Sequence, residues 1–373
     1  MKARFAVFLV ITLLVFPMLV QAEEIPLFYK GIRPLGMGGA FTAVADDENA
    51  IFYNPAGLLQ EKGRESFEIL PPLLSTFEIG SNLVDRVQEV KQIASLPVGA
   101  EKTNRFIDLV GGLFGDSFHL KTSFFPNIIY DRVGVGFLAQ ADVSGTIHNP
   151  LASNAIEGYG KGDLALLVSY ARPVEVKTFP IYTGLTVKGV NRHVIDRSYT
   201  LREITETKLQ LEDDIKEGTG MALDVGLLYP MEGFLVSSFF KSVALKPTIG
   251  LSLQNIVGGD MGDAGKLPFQ ANLGVALEQK VKRGDLLFAA DIVDMTYNLG
   301  TDNDFVKRLH IGMEYRFPYI LTLRTGLYQG NPSFGTAIDL WVIHFVYAYY
   351  VEEIGAFSGQ ISDPRHVIKF SFF

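Results

Sequence analysis

Apolar residues alternate with polar residues or glycine along many segments of the chain, and this period of two constrains the fold most. Between 246 and 256, for example, Ile249, Leu251 and Leu253 are separated by Gly250 and Ser252. Because successive side chains of a β-strand point to opposite faces, this period predicts strands with one apolar face. Equivalent alternation occurs over 133–142, 222–229, 270–278 and 308–316.

The second face of these predicted strands carries glycine and charge together. Strands of this kind occur in soluble β-sandwiches and in membrane β-barrels, so the alternation alone leaves both folds open. In a sandwich the charged face meets bulk water, whereas in a barrel it lines a polar lumen where acids and bases pair. In the barrel interpretation, the expected lumen lining is Asp224, Glu278, Asp291, Glu314, Arg316 and Arg324.

The beginning of the chain has the features of an export signal. Lys2 and Arg4 precede an apolar stretch over 5–20, and Ala22 ends a small-residue cleavage site. We therefore expect a signal peptide at 1–22; the alternative is a retained transmembrane anchor, for which the apolar stretch is shorter than the roughly 20 residues required. The mean hydropathy is +0.21, and no later stretch is long enough for a spanning helix, which favours a membrane barrel.

The alternation and the turn residues predict about fourteen strands joined by long and short connections in turn. Outer-membrane barrels have an even number of antiparallel strands, tight periplasmic turns and longer external loops. We therefore expect residues 65–373 to form an all-β transmembrane barrel. The predicted strands are 66–77, 117–129, 133–147, 161–171, 180–199, 219–230, 245–256, 269–280, 285–294, 306–317, 319–328, 333–340, 342–352 and 365–373.

The longest predicted external loop covers 78–116. Within it, Leu83, Val87 and Val90 recur at helical spacing, which predicts short amphipathic helices. These helices either cap the barrel or form an external apolar groove that collects a solute before entry.

Residues 33–58 cannot form a regular helix, because glycines crowd their start and a proline lies near their end. Asn54 precedes Pro55 and is therefore pushed out of the α region, so the two residues form a fixed bend with Ala56. We interpret residues 23–64 as a compact plug. A phosphate-binding loop is the alternative, but no apolar strand leads into the glycines and no lysine follows at Walker spacing. The expected hatch or gate residues are Gly36, Gly38, Gly39, Asn54, Pro55 and Ala56.

The order of residues in this stretch resembles the N-terminal hatch of the FadL-type outer-membrane family. The resemblance rests on GMGGAF at 36–41, ADD at 45–47, AIFY at 50–53 and NPAGL at 54–58. It implies a fourteen-stranded barrel in the bacterial outer membrane with the hatch in its lumen, and diffusion of a hydrophobic molecule such as a long-chain fatty acid or hydrocarbon.

Two other functions stay open beside uptake. PorV-type members share the hatch motif and act as partners of protein secretion or attachment systems. A barrel without a transport role is the third possibility. The final Phe373 resembles the signal by which the barrel-assembly machinery recognises its substrates, although the apolar residues Ile368, Phe370 and Phe372 lie one residue out of the usual register.

Composition excludes several chemistries. The chain of 373 residues has no cysteine and a formal net charge of -8, which argues against thiol chemistry and against nucleic acid as a partner. The six histidines lack metal-ligand spacing, and no nucleophile with a positioned base can be identified. Asp46 and Asp47 could be catalytic carboxylates, but we expect them to pair with lumen arginines or face solvent. The sequence therefore predicts a protein that is not an enzyme, with no catalytic residues, metal or cofactor.

Overall fold

The structure is a computed structural model, and part of the chain is described. The described residues are 24–60, 65–68, 76–80, 101, 104–105, 108, 117–147, 156–177, 179–199, 214–231, 245–300, 303–340 and 343–372. The predicted signal peptide, most of the predicted 78–116 loop and Phe373 lie outside these residues.

The described chain begins with residues 24–60, here called the N-terminal segment, which forms three short helical turns. These are α1 (Ile32–Gly36), α2 (Ala50–Tyr53) and a 3-10 helix (Pro55–Leu59). Gly38 and Gly39 follow α1, and their φ angles of 64° and 82° lie in the left-handed region that favours glycine. None of the helices that the structure describes is long and apolar enough to cross a membrane.

The strand segments among the described residues form one antiparallel sheet. Their bounds are β1 (Glu65–Glu68), β2 (Thr76–Gly80), β3 (Ser117–Phe124), β4 (Asn127–Tyr130), β5 (Val133–Ile147), β6 (Ile156–Val176), β7 (Phe179–Tyr199), β8 (Lys216–Pro230), β9 (Leu245–Gly258), β10 (Gln270–Val281), β11 (Gly284–Ile292), β12 (Leu309–Arg316), β13 (Leu321–Tyr328), β14 (Asn331–Leu340), β15 (Ile343–Glu353) and β16 (Ser362–Phe372). Two further 3-10 turns, Gly262–Ala264 and Val306–Arg308, lie in connections.

The sheet closes on itself into a barrel. Strands β3 and β4 both pair with β5, so together they form one interrupted strand. On their other side, β2 pairs with β3 and β1 pairs with β4, so β1 and β2 form a second interrupted strand. The remaining strands pair in chain order from β5 to β16, and β16 pairs with β2. The expected fourteen-stranded antiparallel β-barrel is confirmed.

The two faces of the barrel wall differ as the alternation predicted. In β12, Ile311 is 41% exposed on the outer wall, while Glu314 is fully buried on the inner wall. Gly312, next to Ile311, faces the N-terminal segment. The outer wall therefore exposes an apolar band, and the inner wall carries the polar residues. Its exposed apolar residues include Val135, Phe137, Leu166, Val168, Leu185, Val187, Val275, Phe288, Leu323, Leu327 and Phe334.

Some strand limits differ from the sequence prediction. Strand β6 begins at Ile156 instead of 161, and Glu78, which was expected to open the external loop, lies within β2. Strands β13 and β14 are joined only by Gln329 and Gly330, whose φ angles of 53° and 84° fit a tight hairpin turn. This turn interrupts the expected series of long connections, because it lies at the same end of the barrel as the β5–β6 and β7–β8 connections.

Candidate hatch and lumen cavity

The N-terminal segment packs against a belt of glycines on the inner wall. A Cβ atom at any of these glycines would lie within 3.0 Å of an atom of the segment, a separation that real Cβ atoms essentially never show. Glycine is therefore required at these positions for close approach of two backbones and not for a special φ angle. We call this set the glycine belt. It consists of Gly184, Gly226, Gly250, Gly274, Gly312, Gly326 and Gly335.

The glycines that the sequence placed in the hatch meet the belt from the other side. Gly36 lies against Gly335, and Gly38 lies against the backbone of β12 and β13 at Ile311 and Leu327. Gly39 lies against the His310 ring. The absence of side chains at these glycines therefore allows the segment to approach the wall closely.

Asn54 is fully buried and connects three parts of the structure. Its Nδ2 donates to the Thr42 carbonyl oxygen at 2.8 Å and to the Leu227 carbonyl oxygen of β8 at 3.2 Å. Its Oδ1 accepts a hydrogen bond from the Ala56 amide at 3.2 Å, which caps the 3-10 helix that begins at Pro55. The predicted bend is thus also a fixed connection between the segment and the wall.

Arg33 joins α1 to the wall through a cluster of carboxylates. It donates to both oxygens of Glu314 at 2.8 and 2.9 Å, and to Asp46 and Asp47 at 2.6 and 2.8 Å. Arg324 donates to the same Glu314 at 2.7 Å. Burial alone would lower the pKa of Arg33, but these carboxylates outweigh it and raise the pKa well above its usual value.

Asp46 and Asp47 pair mainly with Arg33 of their own segment. Asp46 also lies 3.9 Å from Arg316 of the wall, one of the arginines that the sequence placed in the lumen. Burial and the neighbouring charge of Glu48 raise the pKa of Asp47 to about 6, against the attraction of Arg33.

The other residues expected in the lumen divide into two groups. Asp291 accepts hydrogen bonds from the backbone amides of Phe41 and Thr42, both at 2.7 Å, so it holds the segment directly. Asp224 instead pairs within the wall with Lys188 at 2.8 Å. The Glu278 carboxylate lies 3.4 Å from Arg316, also within the wall.

A cavity lies between the N-terminal segment and the inner wall. Its volume of about 30 Å³ is far below the roughly 150 Å³ in which a protein cavity is known to hold benzene. In this conformation it has room for water only, so a larger ligand requires displacement of the segment. The lining includes Leu27, Phe28, Tyr29, Leu35, Phe52 and Tyr53 of the segment, and Lys188, Gln254, His310 and Tyr328 of the wall.

No family model matches the chain. No curated protein matches it either. The chain is similar to bacterial hydrocarbon transporters of known structure. The Ralstonia pickettii toluene transporter TbuX is 13% identical, with 93% of this chain and 99% of TbuX covered and a TM-score of 0.49.

Two further solved structures have comparable values. The Pseudomonas putida toluene transporter TodX is 12% identical, with 94% of this chain and 99% of TodX covered and a TM-score of 0.48. A Pseudomonas aeruginosa FadL homologue is 10% identical, with 94% and 98% covered and a TM-score of 0.43. Sequence identities of 10–13% indicate an overall likeness only and do not indicate a shared ligand.

The sequence did not reveal one charged cluster that anchors the start of the segment. Lys30 lies 2.5 Å from Glu24 and 2.6 Å from Glu352 of β15, and Arg365 of β16 lies 2.8 Å from Glu24. Burial lowers the pKa of Lys30, but the two carboxylates outweigh it and raise the pKa well above its usual value. Because Glu352 and Arg365 lie more than 300 residues from Lys30 and Glu24, no local spacing could have indicated these two wall partners.

Proposed function

We propose that the protein is a bacterial outer-membrane channel through which hydrophobic small molecules, such as fatty acids or hydrocarbons, diffuse into the cell. In this proposal the N-terminal segment is the plug that keeps the barrel closed. The observation that carries the proposal is the packing of that segment against the inner wall, where it confines the lumen cavity to a volume of about 30 Å³.

The outer wall supports a membrane location. Apolar side chains such as Val275, Ile311 and Leu327 are exposed there at 46%, 41% and 45%, which water would penalise and lipid tails would accept. Outer-membrane lipid is therefore the proposed surrounding, and the barrel-assembly machinery is the proposed route of insertion.

Three aromatic rings in the cavity lining support a hydrophobic solute. An apolar molecule gains about 25 cal/mol for each Å² of surface it removes from water, so an apolar path suffices for passage without an energy source. Phe28, Tyr29 and Phe52 supply that surface, since their rings lie close together, with Tyr29 and Phe52 stacked at 4.0 Å.

Weakening the contact between plug and wall tests the proposal. We expect Arg33→Gln to increase dye efflux from liposomes containing the purified protein about tenfold or more, because a buried hydrogen bond to a charged group contributes about 1.5–3 kcal/mol. Arg132→Gln is the matched control, since Arg132 lies in an exposed turn 3.7 Å from Asp131. Equal efflux from both variants and the wild type would show that the segment is not a plug.

A binding assay tests the solute. We expect the purified protein to bind a fluorescent fatty acid or the neutral dye N-phenyl-1-naphthylamine, and we expect oleate or toluene to compete. Failure of every hydrophobic probe to bind, with secreted proteins co-purifying, would instead support the PorV-type role.

A further inference from the structure

Given the membrane location of the proposed function, we infer that one part of the barrel edge lies at the depth of the lipid acyl chains, so that lipid and not water covers its exposed side chains. We call this part the low rim. It consists of the connections 293–308, 329–330 and 354–361, of which the structure describes all but 301–302. The low rim belongs to the flank formed by β11 to β16, where the strands are 8 to 11 residues long.

The exposed surface of the low rim is largely apolar, and none of its described charged residues is exposed. Its exposed polar residues, such as Thr296 and Asn298, are uncharged. Water would penalise this many apolar side chains on one edge, whereas lipid would accept them. The exposed apolar side chains are Met295 (40%), Tyr297 (38%), Phe305 (49%), Val306 (44%), Phe357 (62%) and Ile361 (44%).

Charged side chains of the low rim point inward and join its three connections. Lys307 is fully buried and donates to the Gly355 carbonyl oxygen at 2.8 Å. The half-buried Asp304 accepts a hydrogen bond from the Ser358 amide at 2.7 Å. The Ser358 hydroxyl donates to the Gln329 carbonyl oxygen of the hairpin turn at 2.8 Å. The three connections are therefore bonded into one unit, whose apolar side chains are left on the outside.

Every backbone amide of the connection 354–361 is bonded within the protein. The Glu353 carboxylate is fully buried and accepts from the amides of Gly355, Gly359 and Ile361 at 2.9, 2.6 and 2.7 Å. The amide of residue 358 bonds to Asp304, and the other amides bond to the 360 side chain or to carbonyl oxygens of the same connection. A loop can lie at membrane depth only if the protein satisfies its backbone, because lipid supplies no partner. This connection meets that condition for its amides.

The length of the strands places the low rim at this depth. Strands β12 and β13 have 8 residues each, and at about 3.3 Å per residue and a tilt of about 45° they rise roughly 19 Å. The apolar band of an outer-membrane barrel is about 25 Å tall. At the opposite end of this flank, Lys282 and Arg283 are exposed in the turn between β10 and β11, as expected of side chains at the lipid headgroups. The low rim therefore stops short of the other headgroup layer.

The surface of the tall flank is different at the same end of the barrel. His193 of β7 and Glu217 of β8 lie 3.3 Å apart with 47% and 75% of their side chains exposed. The connection between β9 and β10 also exposes Asp260, Asp263 and Lys266. This contrast is expected if the tall flank rises out of the membrane into water and the low rim does not.

Single cysteines can report the surroundings of each position, because the chain has no cysteine of its own. The full chain carrying Phe357→Cys is labelled with the fluorescent dye NBD and reconstituted into phosphatidylcholine vesicles. Phe357 makes its hydrogen bonds through its backbone, so the replacement leaves them in place. Phe305→Cys serves if this variant does not fold. Glu217→Cys is the control for the tall flank, and Leu323→Cys, at a position 45% exposed on the outer wall, is the control for lipid contact.

Two quenchers distinguish water from lipid around the dye. We expect iodide to quench the dye at position 357 about fivefold less than at position 217, because an anion is excluded from the apolar part of the bilayer. A phospholipid with a nitroxide on its acyl chain should quench the dye at positions 357 and 323 but not at 217. Equal iodide quenching at 357 and 217, with lipid quenching at 323, would overturn the inference and leave the membrane location intact. Absence of lipid quenching at both 357 and 323 would overturn both.

Discussion

The Asn54 side chain holds the N-terminal segment through three backbone groups at once. Replacing it with alanine would leave the carbonyl oxygens of Thr42 and Leu227 and the amide of Ala56 without these partners in a buried site. We expect Asn54→Ala to lower the free energy of local opening of the segment by about 2–3 kcal/mol. Hydrogen exchange of the Ala56 amide measures this change directly.

Asn191→Ala is the comparison for this residue. The Asn191 side chain donates to Thr219 at 3.0 Å in an exposed contact on the outer wall. Its loss should therefore alter stability by no more than about 0.5 kcal/mol. Equal protection of the Ala56 amide in both variants would contradict the role given to Asn54.

The sequence predicted the bend at Asn54 but only part of its function. An asparagine before proline must adopt an extended conformation, and its φ of -161° agrees. The contact with Leu227, which is 173 residues away, could not be predicted, because it depends on how the segment lies against β8. The residue type thus indicated the local backbone conformation, whereas identifying the Leu227 partner required knowledge of the fold.

At the scale of the elements, the glycine belt makes the fit between segment and strands specific. A Cβ at Gly312 would overlap the Met37 carbonyl group, whereas a Cβ at Gly189 of β7 would meet nothing within 4 Å. We expect Gly312→Ala to destabilise the docked segment by about 1–3 kcal/mol through overpacking. Gly189→Ala should leave the protein unchanged or stabilise it by about 0.5 kcal/mol.

Limited proteolysis distinguishes the two variants. Displacement of the segment in Gly312→Ala would expose bonds between residues 30 and 60 to protease, and the wild-type cleavage pattern should persist in Gly189→Ala. If both variants resist proteolysis like the wild type, the belt is not needed for docking.

The strands could be predicted where their two faces have different surroundings, because apolar and polar residues then alternate along the sequence. Strand β12 was expected at 306–317 and lies at Leu309–Arg316, because an apolar outer face and a polar inner face select side chains with a period of two. The start of β6 was missed because Gly158 and Gly160 carry no apolar signal, although they pair with β5 and β7. The sequence placed glycines such as Gly250 on the polar face of the strands, but their close approach to the N-terminal segment was not predicted, because it depends on how that segment lies in the barrel.

At the scale of the whole molecule, the apolar outer wall makes the stability of the barrel depend on its surroundings. Ile311 is exposed within the band, so Ile311→Arg should cost about 2–4 kcal/mol if it lies near the bilayer midplane. Leu340→Arg should cost no more than about 1 kcal/mol, because Leu340 is the last residue of β14 and charged side chains near strand ends cost least. Unfolding in lipid vesicles, followed by the mobility shift of unheated samples on gels, measures both variants. Equal stability of the two would contradict the assignment of the band.

The strands of this barrel differ greatly in length, from 21 residues in β6 and β7 to 8 in β12 and β13. At about 3.3 Å per residue and a tilt of about 45°, the wall is roughly 30 Å taller on one flank than on the other. The mouth of the barrel is therefore oblique. In the proposed channel, a hydrophobic molecule that arrives at the lower flank passes the shortest part of the wall on its way to the interior.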